Sequence, residues 1–143
     1  MEKILLYLII FLAVFLILNR YLRWWAKSAF VVFYTIVIYY FQKGYTKLNN
    51  DYEAYRSENG YNHNDAADVA MQENFWDMQT EHVAAYQGFL LIPALSLLIY
   101  SYYKWLQKAP SRTRRILIGM SIIPVSILYL FISLQVAMLG YQP

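Results

Sequence analysis

The chain has 143 residues, of which 59% are apolar and 15% charged, whereas a soluble domain carries about 25% charged residues. It has no cysteine, which excludes disulfides, thiolate metal centres and thiol catalysis. The net charge of +3 is small, does not point to a nucleic-acid partner, and matters less than where the charges lie.

A bilayer core of about 30 Å takes roughly 20 helical residues. Four apolar stretches meet that length and predict an all-α membrane protein, a single domain with spans at about 4–22, 24–41, 83–103 and 116–139. The first consists of the run Ile4 to Leu18 and reaches full length only if the helix continues through Leu22. Lys3 before an apolar run also fits a secretory signal. However, Asn19-Arg20-Tyr21 stands where a small-residue cleavage site belongs, so a retained span is expected. The second span has Trp24 and Trp25 at one edge and Tyr39 and Tyr40 at the other. Amphipathic rings suit the two interfaces of a membrane.

Residues 42–82 are too many for a loop without structure of its own. Phe41, Tyr45, Leu48, Tyr52 and Tyr55 recur at helical spacing, as do Ala67, Met71, Phe75, Met78 and His82. Between them, Ser57 to Asn64 is rich in turn formers, and Asn64 or Asp65 suits a helix N-cap. The pattern predicts that helix two continues to about Tyr55 and that the chain returns as a helix running into helix three. The two arms would form an antiparallel hairpin beyond the membrane, each projecting roughly 20–25 Å at 1.5 Å per residue. Gly44 is the expected weak point of the first arm. Tyr45, Leu48, Tyr52, Tyr55, Met71, Phe75, Trp76 and Met78 are the candidate partner-facing residues of this hairpin. A mobile polar loop is the alternative.

Pro93 and Pro124 fall inside the third and fourth stretches and predict kinks. Gly119, Ser126, Ser133 and Gly140 are spaced by seven, and Ala84 and Gly88 by four. Small residues in register let helices approach closely, so these six are candidate helix-packing positions, either within one bundle or against a second subunit.

Arg20, Arg23, Lys27, Lys104, Lys108, Arg112, Arg114 and Arg115 lie in two short connections, 19–27 and 104–115, which carry no acid. Every acid falls at the chain's start or between Asp51 and Glu81. The excess of Lys and Arg predicts that both short connections face the cytoplasm or matrix. The termini and residues 42–82 then lie outside, in a bacterial inner membrane or an organellar inner membrane. Lys108, Arg112, Arg114 and Arg115 form a candidate anionic-lipid site, although orientation alone would explain them.

Glu73, Asp77 and Glu81 make an acidic row at i, i+4 spacing. A solvated helix face explains it more simply than a cation site. The apolar cores of the spans carry no charged residue, and no phosphate loop, zinc motif or nucleophile elbow occurs. The sequence therefore points to no cofactor, metal or catalytic set. It leads to the expectation of a non-enzymatic small subunit of a larger membrane complex, with lipids and other membrane subunits or copies of itself as partners. A self-associating pore or carrier is the first alternative, and a lipid-binding or lipid-modifying protein the second.

Overall fold

The computed structural model describes residues 2–60 and 65–140. Among these residues all regular structure is helical, in the order α1 (Glu2–Leu18), α2 (Trp24–Asn59), α3 (Ala66–Gln107) and α4 (Arg112–Met138). Three helices, α2, α3 and α4, are long and apolar enough to cross a membrane. The first has 17 residues, roughly 25 Å of helix.

α1 stops at Leu18 instead of running on to Leu22. Asn19 ends it. Its side chain is fully buried, its carbonyl oxygen accepts the Tyr21 N–H at 3.1 Å, and its amide donates to the Ser101 hydroxyl at 2.8 Å. Asparagine satisfies the turn locally and so competes with helix continuation. α2 then starts at Trp24, as expected.

The third helix is the centre of the assembly. It packs on α1, α2 and α4, and α1 packs also on α4. Leu8, Phe11, Leu12 and Phe15 of α1 meet Leu90, Ala94, Leu97 and Tyr102 of α3, with Ile132 and Val136 of α4. At one end, Phe15 stacks on Trp105 and Tyr102 hydrogen-bonds Ser121, so the 19–23 and 108–111 turns lie together. At the other end, Leu5, Phe41, Val83 and Leu139 form a second buried cluster. All eight basic residues of the two short connections therefore gather at one end of the bundle.

Beyond the second cluster, α2 and α3 continue side by side. Phe41 stacks on His82, Tyr45 bonds Gln79, Tyr52 stacks on Phe75, and Tyr55 bonds Asp68. Numbers rise on one helix as they fall on the other, so the arms run in opposite directions. α2 extends past Tyr55 to Asn59 because serine and glutamate do not stop a helix. Gly60, at φ 65°, does, and its N–H closes the last turn on the Arg56 carbonyl. Asp65 caps α3 by accepting the Ala67 N–H at 2.9 Å. Asn64, the alternative cap, and His63 lie outside the described residues.

Gly44 does not break α2. A Cβ at that position would lie 2.3 Å from His82 Cε1, so the missing side chain makes the notch in which His82 sits. The loss in helix propensity is offset by close packing. α3 and α4 likewise continue through Pro93 and Pro124.

The molecule exposes 9729 Å², against roughly 7700 Å² for a globular protein of its mass. Much of the excess is apolar. α4 turns Leu117, Met120, Ile123, Ile127, Leu130 and Leu134 outward.

Candidate functional site

Two regions concentrate chemistry, the joint where the arms leave the bundle and the flanks of the bundle itself. The joint is built on an aromatic stack. The His82 ring lies between Phe41, 5.4 Å away, and Tyr86, 4.9 Å away. His82 Nε2 donates to the Phe41 carbonyl at 3.0 Å. One turn outward, the Gln79 amide donates to the buried Tyr45 hydroxyl at 2.6 Å. The Gln79 side-chain oxygen is buried without a partner among the described residues. Turning the amide over would let Tyr45 donate to that oxygen but would leave the NH₂ unpaired. Either orientation leaves one polar end of Gln79 unsatisfied.

Of the residues expected to face a partner, Tyr45, Tyr52, Tyr55 and Phe75 meet the opposite arm. Tyr45 and Phe75 are buried, Tyr52 stacks on Phe75 at 4.3 Å, and Tyr55 donates to the Asp68 carboxylate at 2.9 Å. That carboxylate holds the Tyr55 phenol above its ordinary range. An amphipathic stripe shows that a face is covered but not by what, and here each arm covers the other. Leu48, Met71 and Trp76 are half-buried and Met78 is exposed. The outer surface of α3's arm carries Glu73, Asp77 and Glu81 in the open. No group of acids and histidines among the described residues is placed to hold a metal.

The six small residues do not act together. Gly140 packs tightly. Its carbonyl accepts the Thr80 hydroxyl, and a Cβ there would lie 3.1 Å from Thr80 Cα. Ser133 spends its hydroxyl on the Tyr129 carbonyl within α4. Gly119 has open space where a side chain would stand, and Gly88 meets only Ile92 of its own helix. Ala84 is exposed and Ser126 half-buried. The core face of α4 is instead Ile118, Ile122, Val125, Tyr129, Ile132 and Val136. The seam lies one residue on, about 100° around the helix, so the chain's own packing covers its flank only.

α1 and α2 are consecutive, yet each rests on α3 and an open groove separates them. Leu12, Ala13 and Leu16 line one wall, and Phe30, Val31 and Ile38 the other, around a volume of about 410 Å³. Two of the groove's hydroxyls are already engaged, while Tyr39 and Gln42 line its end nearest the arms. Tyr34 donates to the Leu90 carbonyl at 2.8 Å and Thr35 to the Val31 carbonyl at 2.8 Å.

At the basic end, Lys108, Arg112, Arg114 and Arg115 are exposed together. Ser111 caps α4, its hydroxyl accepting the Arg114 N–H at 3.3 Å. Comparison with protein-family models, with curated proteins and with solved structures finds no match to this chain.

Sequence reading missed Asn19, Ser101, Thr80 and Gln79 as structural polar groups. Asn19 and Thr80 carried a signal, being uncharged polar residues where an apolar run ends or begins. Ser101 and Gln79 carried none, since the partner of each is 34 or more residues away.

Proposed function

We propose that the chain is a non-enzymatic small subunit of a larger membrane complex. It crosses the bilayer four times and holds the α2–α3 arms beyond it as a helical hairpin. α1, though short, runs beside the stretch of α3 from Val83 to Ser101, which supports a fourth crossing. The charge asymmetry supports placing the two short turns in the cytoplasm or matrix and the termini and arms outside. Lys108, Arg112, Arg114 and Arg115 would then meet anionic headgroups.

The observation that carries the subunit reading is Gly119. On the small-residue seam of α4, it has nothing within 4 Å of the place a Cβ would occupy. Lipid tails gain nothing from a glycine, whereas a second helix can approach closely there. The exposed acids Glu73, Asp77 and Glu81 of the arm make a basic segment the matching chemistry for a partner outside the membrane.

Purification in mild detergent after crosslinking from Gly119→Cys or Ser126→Cys tests this. The expected result is a covalent adduct with a different polypeptide, identified by mass spectrometry. A chain that stays monomeric at both positions overturns the reading. Adducts only with itself would favour the self-associating alternative instead.

A further inference from the structure

We propose that the groove between α1 and α2 is a binding site for one anionic phospholipid, its acyl chain lying in the groove and its phosphate on Lys27, Arg20 and Arg23. The proposal rests on the membrane placement argued above. It concerns residues distinct from the basic cluster at the α3–α4 turn.

Shape points to the occupant. From Phe30 to Gln42 the groove runs roughly 18 Å at 1.5 Å per residue, with a volume of about 410 Å³. An elongated, mostly apolar slot of this kind suits an extended hydrocarbon chain. Its walls fit the same occupant, because the hydroxyls of Tyr34 and Thr35 are already bonded to carbonyls. The other polar lining residues, Tyr39 and Gln42, stand at the end away from Lys27, so the length between is mostly apolar surface.

Charge decides the headgroup. Lys27 precedes Val31, Tyr34, Ile38 and Gln42 by 4, 7, 11 and 15 residues, so it continues the groove-lining face of α2 toward the helix start. Arg20 and Arg23 stand in the turn that joins the two walls. No acid lies between Glu2 and Asp51 in the sequence, and the neighbouring turn, 108–111, carries none either. Three cations close one end of a hydrocarbon slot, which is the charge complement of a phosphodiester lipid with no compensating amine.

Native mass spectrometry of the full chain, released from nanodiscs containing phosphatidylglycerol and phosphatidylcholine in equal amounts, reads the bound lipid directly. One phosphatidylglycerol per chain is expected to persist. Removing cations is expected to weaken retention roughly fivefold per residue, so Arg23→Gln with Lys27→Gln should lose about 30-fold. Ala13→Trp, at an exposed position on the groove wall, should displace the acyl chain without touching charge, and Ala13→Leu should do so partially. Arg112→Gln with Arg115→Gln, which leaves the groove and its three cations intact, should cost less retention than Arg23→Gln with Lys27→Gln.

Equal retention of the two lipids would overturn the proposal. So would unchanged retention in both Ala13 variants, or loss in the Arg112 and Arg115 variant in place of the Lys27 one. Extraction of the wild-type chain from membranes by alkaline carbonate would instead overturn the membrane placement, a failure that is read separately.

Discussion

Asn19 and Ser101 are 82 residues apart, and the asparagine amide donates to the serine hydroxyl at 2.8 Å with both side chains fully buried. The Ser101 hydroxyl in turn donates to the Leu97 carbonyl at 2.7 Å, and the Asn19 oxygen accepts the Tyr21 N–H. The bond fixes the α1–α2 turn to α3 where α1 and α2 do not hold each other.

The arrangement predicts unequal costs. In Asn19→Ala, Ser101 still donates to Leu97, so the loss is close to that of one interhelical bond, about 0.6–1.7 kcal/mol. In Ser101→Ala, the Asn19 amide remains buried with no acceptor, which costs about 1–3 kcal/mol. Ser101→Ala should therefore be the more damaging and should cost less in an Asn19→Ala background. Unfolding of the four chains in detergent, treated as a double-mutant cycle, measures this. Additive losses would show that the two residues are not coupled.

Gly44 and His82 make a similar pair. Gly44→Ala places a methyl 2.3 Å from the imidazole, whose ring is held by Phe41, Tyr86 and the Phe41 carbonyl. Helix propensity alone would favour alanine by about 1 kcal/mol. Overpacking costs about 1–3 kcal/mol and should win. In a His82→Ala background the notch is empty, and the same substitution should become stabilising. The sign reversal, read from thermal unfolding in detergent, separates steric conflict from a general preference at position 44.

How much of this was legible in the sequence depends on the range of the interaction. The apolar runs placed α2, α3 and α4, and the periodicity of residues 41–82 anticipated helical arms, because both signals repeat every few residues. Gly60 stops α2 through its own backbone, yet the turn-forming stretch placed that stop four residues early. Asn19 ends α1 through its local bond to the Tyr21 N–H, which the sequence can signal, whereas its bond to Ser101 is one that no local pattern contains. Tyr45 and Phe75 were given to a partner because periodicity locates a buried face and not its cover. The groove between α1 and α2 depends on both helices resting on α3, so neither helix's sequence records it.

Pro93 supplies the next prediction. It has no N–H, so the Phe89 carbonyl lacks its usual helical donor. Just beyond that carbonyl, hydroxyls arrive from both neighbouring helices. Tyr34 of α2 donates to Leu90 at 2.8 Å, and Tyr129 of α4 donates to Leu91 at 3.0 Å. We expect these tyrosines to hold the turn that the proline loosens. Tyr34→Phe and Tyr129→Phe should each cost about 1 kcal/mol and speed amide exchange across residues 89–97. The acceleration should shrink in a Pro93→Ala background, where the backbone bond is restored. Equal acceleration with and without the proline would mean that the hydroxyls tether the helices without mending the turn.

The absence of cysteine makes each introduced thiol a sole reporter, which allows the proposed crossings of α3 and α1 to be tested separately. Asp77 on the arm and Ser111 in the α3–α4 turn are both exposed and flank the apolar length of α3. Asp77→Cys should react with an impermeant maleimide added outside, and Ser111→Cys only after the membrane is opened. Reaction of both from one side would remove the α3 crossing, and the reverse pattern would invert the orientation. Lys3→Cys tests the shortest helix. Its 17 residues give roughly 25 Å against a bilayer core of about 30 Å, a mismatch that local thinning can absorb at a fraction of a kcal/mol per Å. α1 also spans the same bundle length as α3, with Leu5 in the cluster at one end and Asn19 bonded to Ser101 at the other. Lys3→Cys is therefore expected to react from the same side as Asp77→Cys. Reaction from the Ser111 side would show that α1 packs on the bundle without crossing, leaving three spans.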